Sequence, residues 1–259
     1  MILLKVTDRG AFLFMIVPAR DRKNIGTKIR ELQQMNIRFL IVCGEKVNHP
    51  NVIFRANRGK WDAINFGASF IPKDANVIVL NDVDTEICNF EHALKHLNPK
   101  IDLVYCDVKV SGGPQVRFYR LLNPLRRKFH IAASGELMLI KKEVFEHALP
   151  LPPCIAEDSY ILFKTLESGY RARFCTEAFV ITKRTVNVRQ EEAYKNRTTL
   201  GIYQALDYSK PPFWIRLFYL LLPLFAPFLS VLGEDGKAWA KGINRAFIDH
   251  LTKRNPTKF

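Results

Sequence analysis

From Phe12 onward the chain alternates between short apolar runs and segments with helical spacing, and this alternation restricts the fold more than any other feature. FLFMIVP (12–18) reads as a buried strand closed by Pro18. Ile25, Ile29, Leu32 and Met35 then recur at spacings of four, three and three, one face of a helix. RFLIVC (38–43), NVIFR (51–55) and NVIVL (76–80) are further strands, with a helix over 60–70 between the last two. A strand at 101–107, a strand–helix pair over 138–148 and helices at 158–168 and 189–208 continue the pattern. Strands alternating with helices predict an α/β chain with a mostly parallel sheet covered on both faces. Ligands in such sheets sit beyond the carboxyl ends of the strands, so the residues just after each strand are the ones to read for chemistry.

Two stretches break the pattern. Residues 109–128 hold six basic residues and no acidic one around a Ser111-Gly112-Gly113-Pro114 turn, and are expected to be irregular. After Tyr208, Pro211-Pro212 and a sharp change of composition mark a boundary, which predicts a domain over 1–208 and a tail over 209–259. In the tail, 217–232 is a run of sixteen uncharged, mostly apolar residues interrupted by Pro223 and Pro227, marginal for a full membrane span. Behind it Trp239, Ile243, Phe247 and Leu251 recur every four residues, with Lys237, Lys241 and Arg245 on another stripe. That pattern is expected of a basic amphipathic helix lying on anionic lipid. A buried core helix is the other reading of 217–232. A single span would put the following lysines and arginines outside, against the positive-inside tendency, so a monotopic or re-entrant anchor is expected.

Charge points the same way. Lys and Arg number 39 against 25 Asp and Glu, a formal net charge of +14, which implies an anionic partner. No RRM, helix-turn-helix or zinc-finger signature appears, so nucleic acid is not expected. The basic stretch 109–128 together with Arg171, Arg173, Lys183 and Arg184 is a candidate surround for a diphosphate or a lipid phosphate. The five cysteines are widely spaced with no CxxC pair, which suits isolated thiols in a reducing compartment. Lys5, Asp8 and Arg9 interrupt what would have to be the apolar core of a signal peptide.

The sharpest local signal is Asn81-Asp82-Val83-Asp84, directly after a strand. Two carboxylates one residue apart reach one hard cation together, Mg²⁺ or Mn²⁺, which also binds substrate phosphates. On spacing alone the pair reads either as such a site or as a polar turn. Its neighbours favour the site. Arg58-Gly59-Lys60 opens a helix and can meet a phosphate, or form a solvated basic turn. Downstream, Ala133-Ser134-Gly135-Glu136 precedes a strand. Glu157-Asp158 begins a helix, as catalytic carboxylates or as a cap.

In this order the motifs resemble the family 2 glycosyltransferases of GT-A fold: Val17-Pro18-Ala19-Arg20, Gly59 to Asn65, Asp82-Val83-Asp84, Gly135 to Phe145, Glu157-Asp158, and Arg197 to Gln204, over residues 12–208. The resemblance implies an inverting transfer of a sugar from a nucleoside diphosphate sugar to a hydroxyl. It places Pro18, Ala19, Arg20, Glu45, Arg58, Lys60, Asp82 and Arg197 around the donor. Asp84 with Asp82 would hold Mg²⁺ or Mn²⁺, Asp158 would be the general base, and Glu157 would support it. The acceptor would be a lipid-linked or glycan hydroxyl at the cytoplasmic face of a cell membrane. Three departures stand out. Cys43-Gly44-Glu45 replaces the usual acidic pair after the second strand, Arg20-Asp21-Arg22 replaces Asn-Glu, and Tyr194 and Thr198 replace the Gln and Trp of the family's QxxRW motif. The last argues against a processive synthase. The competing reading is a non-catalytic, membrane-bound relative that keeps the fold as a nucleotide- or glycan-binding module.

Overall fold

The computed structural model describes residues 12–111, 115–183 and 187–253. The chain's first eleven residues, Gly112 to Pro114 of the expected turn and Arg184 therefore lie outside the described residues.

The first half follows the expected alternation. Strand β1 (Leu13–Ala19), helix α1 (Ile25–Gln34), strands β2 (Arg38–Cys43) and β3 (Val52–Phe54), helix α2 (Lys60–Ala68) and strand β4 (Val77–Asn81) appear in that order. Every residue of β1 and β4 is buried. Phe14 and Ile16 enter one core and Leu13, Met15 and Val17 the other, so β1 is apolar throughout because helices cover both its faces. The short β5 (Thr85–Cys88) and α3 (Phe90–His96) follow, then β6 (Leu103–Val110), α4 (Gln115–Phe129), β7 (Leu137–Lys141), α5 (Lys142–Ala148), α6 (Glu157–Glu167), β8 (Ala172–Thr182) and α7 (Val188–Asp207).

All eight strands form one sheet in the order β3-β2-β1-β4-β7-β6-β8-β5. β1 pairs in parallel with β2 and β4, β2 with β3, and β6 with β8, whereas β7 runs antiparallel to β4 and β6, and β5 to β8. Only β5 and β7 therefore oppose the common direction. The carboxyl ends of β1 and β4 come out beside one another, next to the start of β7, where Asn81 pairs with Leu137.

Three elements depart from expectation. The basic stretch 109–128 holds most of α4, which the sequence disguises with Pro124 inside the helix. Phe118 and Arg126 are nonetheless buried at helical spacing. β8 was not anticipated, because Arg173 and Glu177 interrupt its apolar pattern, and its pairing with β6 shifts register after Cys106. The third departure is the tail, formed by α8 (Phe213–Phe225), a 3₁₀ segment (Ala226–Leu232) and α9 (Glu234–Leu251).

The stripe of α9 expected to lie on lipid is turned into the protein instead. Trp239 is 5% and Ile243 2% exposed, and only the distal Leu251 stays out. Gly242 permits this, since a Cβ there would stand 2.7 Å from the carbonyl oxygen of Glu192 on α7. Close helix approach at a glycine thus buries the apolar face of α9 against α7. Lys237, Lys241 and Arg245 remain exposed. The preceding segment behaves in the opposite way. Ile215, Tyr219 and Ala226 are buried, yet Phe213, Leu224 and Phe228 are 72%, 68% and 69% exposed. Trp214 Nε1 donates to the Phe129 carbonyl at 3.2 Å and the Tyr219 hydroxyl to that of Ile131 at 3.0 Å. One face of α8 is thus tied to the domain and the other presents apolar side chains outward. Residues 213–232 form the one helical stretch among the described residues long and apolar enough to cross a membrane, with mean hydropathy 2.0.

Candidate active site

The loop after β4 is held from beneath. Asn81 donates to Thr85 Oγ1 at 3.0 Å and to the Glu136 carbonyl, and Thr85 Oγ1 donates to the Asp82 carbonyl at 2.9 Å. Lys28, 1% exposed, donates to the Thr85 carbonyl at 2.5 Å and pairs with Glu31 at 2.6 Å. Burial pushes the Lys28 ammonium below its usual range, while Glu31, Asp82 and Asp84 pull it back up. Glu31 in turn accepts the Ile87 amide at 2.6 Å. A buried cation and its partner therefore clamp the downstream end of the turn that carries Asp82 and Asp84, while Asn81 ties its start to Thr85. Lys28 was not singled out from the sequence. Its signal was position, three residues after Ile25 and four before Leu32, on the apolar stripe of α1.

Asp82 faces the cleft and Asp84 is exposed at its edge. Lys60, at the start of α2, lies between two carboxylates, 2.7 Å from Asp82 and 2.8 Å from Glu157. Burial opposes the charge of Lys60, but Asp82, Glu157 and Asp158 outweigh it and hold the ammonium well above the usual lysine range. The Asp82 carboxyl is pushed up to about 6 by burial, with Lys60 pulling it down and Glu136 adding to the rise.

Across the cleft, Glu157 and Asp158 form the first turn of α6. The Gly135 amide donates to Asp158 Oδ2 at 2.8 Å and the Ser159 amide to Oδ1 at 2.6 Å. Burial raises the Asp158 carboxyl to about 7, and the Glu157 charge adds to that, against the pull of Lys60. Position 135 requires glycine, because a Cβ there would meet Asp158 Cβ and Lys60 Nζ, each at 2.9 Å. Helix α7 locks the loop ahead of α6. Gln204 Oε1 accepts the Ile155 amide at 3.0 Å, and a Cβ at Gly201 would stand 2.8 Å from the Ala156 nitrogen. The Arg197-to-Gln204 motif thus fixes where Glu157 and Asp158 stand.

Two adjoining cavities make up the cleft. The outer, of about 470 Å³, is lined by Pro18, Ala19, Arg20, Lys60, Asp82, Asp84 and Arg197 among others. The inner, of about 270 Å³, holds Lys60, Asp82, Glu136, Glu157, Asp158 and Arg197, joined by Arg126, Lys195 and Trp239. Nearly all the donor-side residues singled out from the sequence meet in the outer cavity. Glu45 and Arg58 do not line it. Glu45 accepts the Arg22 amide at 3.3 Å and lies 3.5 Å from its guanidinium, and Arg58 is exposed beside the start of α2. Gly44 brings the loop after β2 against the end of β1, where a Cβ would stand 2.3 Å from the Arg20 carbonyl oxygen. Asn65 of the Gly59-to-Asn65 motif serves packing, bonding both backbone groups of Leu151 at 2.7 and 2.9 Å. Lys195 and Trp239 were missed as site residues, and Arg126 entered only as part of the basic stretch 109–128. Two lie on expected helices as ordinary basic and apolar positions, and Arg126 lies in a stretch expected to be irregular.

No protein-family model and no curated protein sequence matches this chain. Similar solved structures exist. One, GalNAc-T7 with UDP, GalNAc and Mn²⁺, aligns at TM-score 0.56 and 14% identity over 96% of this chain and 59% of its own. The catalytic domain of Drosophila beta1,4galactosyltransferase 7 with xylobiose aligns at 0.40 and 19%, over 62% of this chain and 63% of that one. An inositol-1-phosphate CTP transferase from T. maritima aligns at 0.44 and 12% over 66% of this chain and 89% of its own. The chain spans about three fifths of the length of the first two. The first alignment, over nearly the whole chain, defines the architecture as an α/β fold of GT-A type.

Proposed function

We propose that this chain is an inverting, family 2-like glycosyltransferase that moves a sugar from a nucleoside diphosphate sugar to a hydroxyl of a lipid-linked or glycan acceptor. The observation that carries this reading is the pairing across one cleft of the Asp82–Asp84 turn with Asp158, bridged by Lys60 between Asp82 and Glu157. The donor lies in the outer cavity, its diphosphate near Arg20, Lys60 and Arg197. Asp82 and Asp84 present hard carboxylate oxygens, and Lys60 already sits against Asp82 as a cation would, so the turn suits Mg²⁺ or Mn²⁺. Bound there, the ion supplies positive charge to the departing diphosphate. Asp158, lifted towards neutrality, takes the proton of the acceptor hydroxyl as its oxygen attacks the anomeric carbon. Attack from the face opposite the leaving group inverts the configuration in one displacement. Glu157 keeps Lys60 in place and the Gly135 amide orients Asp158. Glu45 and Arg58 take no direct part in this reading.

Asp84→Ala should abolish the divalent-ion dependence of nucleoside diphosphate binding together with transfer. Titrations of the nucleotide in Mn²⁺ and in chelator, on wild type and variant, check this. Equal affinity in both for the wild type would remove the metal assignment. Binding without any transfer or donor hydrolysis would favour a binding module.

The outward face of α8 and the 3₁₀ segment supports monotopic attachment, with the domain face of the same helix tied down by Trp214 and Tyr219, and the cytoplasmic leaflet remains part of the proposal. Leu224→Ser with Phe228→Ser should leave the melting temperature close to wild type and release the protein from vesicles in flotation. Undiminished flotation would exclude this face as the anchor.

A further inference from the structure

Deep in the inner cavity one cation is poorly matched. Arg126 is 3% exposed. Its Nε reaches the Ala132 carbonyl at 3.4 Å, its Nη1 reaches Asn123 Oδ1 at 3.3 Å, and its guanidinium packs 4.5 Å from the Phe174 ring. Among the described residues its Nη2 is buried without a hydrogen-bond partner. The nearest carboxylate paired with it, Asp107, stands 4.0 Å from Nη1 and already accepts from Asn123 and the Val108 amide. Arginine does not deprotonate to escape burial, and a buried donor left unmade is costly. An anion in the cavity that Arg126 lines would offset this buried charge. Two further cations line the same cavity. Lys195 stands 4.2 Å over the Trp239 ring, and Arg197 borders the outer cavity as well. Burial lowers the Lys195 ammonium to about 8, partly offset by Glu191.

We propose that this end of the inner cavity binds a phosphate group carried by the acceptor, with Arg126 and Lys195 as its ligands; only the word acceptor rests on the glycosyltransferase reading. A phosphate ester fits better than a carboxylate. It brings up to two charges to meet Arg126 and Lys195 together, and its oxygens match the guanidinium fork. At about 270 Å³ the cavity accommodates a phosphate and the group that bears it, and is smaller than the usual pocket for a drug-sized ligand. Two sources share this chemistry, a lipid phosphate and a soluble phosphate ester. The surroundings bear on the choice. Trp239 stacks on Phe118 with ring centroids 4.1 Å apart. Phe118, Leu121 and Leu232 line a neighbouring apolar cavity of about 320 Å³. Leu121 and Leu232 are themselves exposed, and Leu232 ends the outward-facing 3₁₀ segment.

The test titrates the full chain with octyl phosphate below its micelle concentration, glycerol phosphate and octanol. Octyl phosphate should bind, and Arg126→Met should weaken it by about tenfold or more, the scale of a lost charge-assisted contact. Because Arg126 is buried, Lys195→Met provides a second variant at a half-buried position, with the same direction expected. Unchanged affinity in both variants, or octanol binding as tightly as octyl phosphate, overturns the proposal. Octyl phosphate at least tenfold tighter than glycerol phosphate supports the site and assigns a lipid source. Equal affinities support the site and assign a soluble one. Saturating nucleoside diphosphate with Mn²⁺ should leave octyl phosphate bound, and displacement would overturn the proposal by placing the phosphate on the donor side. If the nucleotide does not bind at all while the phosphate responds to both variants, the glycosyltransferase reading fails and the phosphate site stands.

Discussion

The two banks of the cleft are built differently. The outer bank is made by short turns that follow β1 and β4, with Arg20 and Asp84 exposed to water. The inner bank draws Gly135, Glu157, Asp158, Lys195 and Trp239 from four separate parts of the chain, and burial shifts Asp158 and Lys195. Arg20 and Asp84 meet water, whereas Asp82, which faces both cavities, is itself raised by burial. Burial holds Asp158 near the midpoint of its titration at neutral pH, which suits proton transfer. The two sides of one cleft thus carry the same residue types at different depths, with Asp84 exposed and Asp158 raised by burial.

The division breaks most visibly if its inner wall is removed. Trp239 stacks on Phe118, bonds Glu191 and is almost fully buried. Trp239→Ala should cost about 3–5 kcal/mol, as large-to-small aromatic truncations in cores do. At this chain length that lowers the melting temperature by roughly 10 °C. A melt within a degree or two of wild type would mean that α9 is not part of the folded unit.

A smaller effect sharpens the comparison. Asp158→Asn should cut transfer by about 10²-fold or more, close to 3 kcal/mol, while nucleotide and Mn²⁺ affinities stay near wild type. Asparagine caps a helix as well as aspartate, so a mere cap would be insensitive. Unchanged turnover would move the base elsewhere on the inner bank.

A further effect lies in pH dependence. Asp158 titrates near 7 in the fold and near 4 in an unfolded chain. The folded state therefore binds the extra proton between those values. That contribution to stability is complete below about pH 4 and is lost as pH rises through 7. The stability of the wild type relative to Asp158→Asn should fall across this window, as melts at three pH values would show. Transfer should rise over the acid side of 7 as the base ionises. A flat difference between the two proteins would place Asp158 in water.

Much of the outer bank was legible in advance, because each piece lies within a few residues of a strand end. An apolar run ending in Asn81-Asp82-Val83-Asp84 has few places to go in a parallel sheet. The inner bank was legible only in part. Gly135 and Glu157-Asp158 stood out, but the reason for Gly135, contact with Asp158 and Lys60 from elsewhere in the chain, did not. Lys28 was hidden because a basic residue on an apolar stripe is usually assumed to reach water, and Arg126 stood only as one of the six basic residues of 109–128.

The amino-acid sequence by itself determined the strand–helix alternation of the first half and the position of the Asp82–Asp84 turn, since period and run length are properties of neighbouring residues. Tertiary structure alone decided which apolar face of the tail would be buried. Two consecutive apolar segments met opposite fates, α9 packed on α7 through Gly242 and α8 left half bare. The same packing made Arg126, Lys195 and Trp239 members of the cleft. Burial is non-directional and depends on which surface arrives to cover a side chain, and that surface comes from residues far away along the chain.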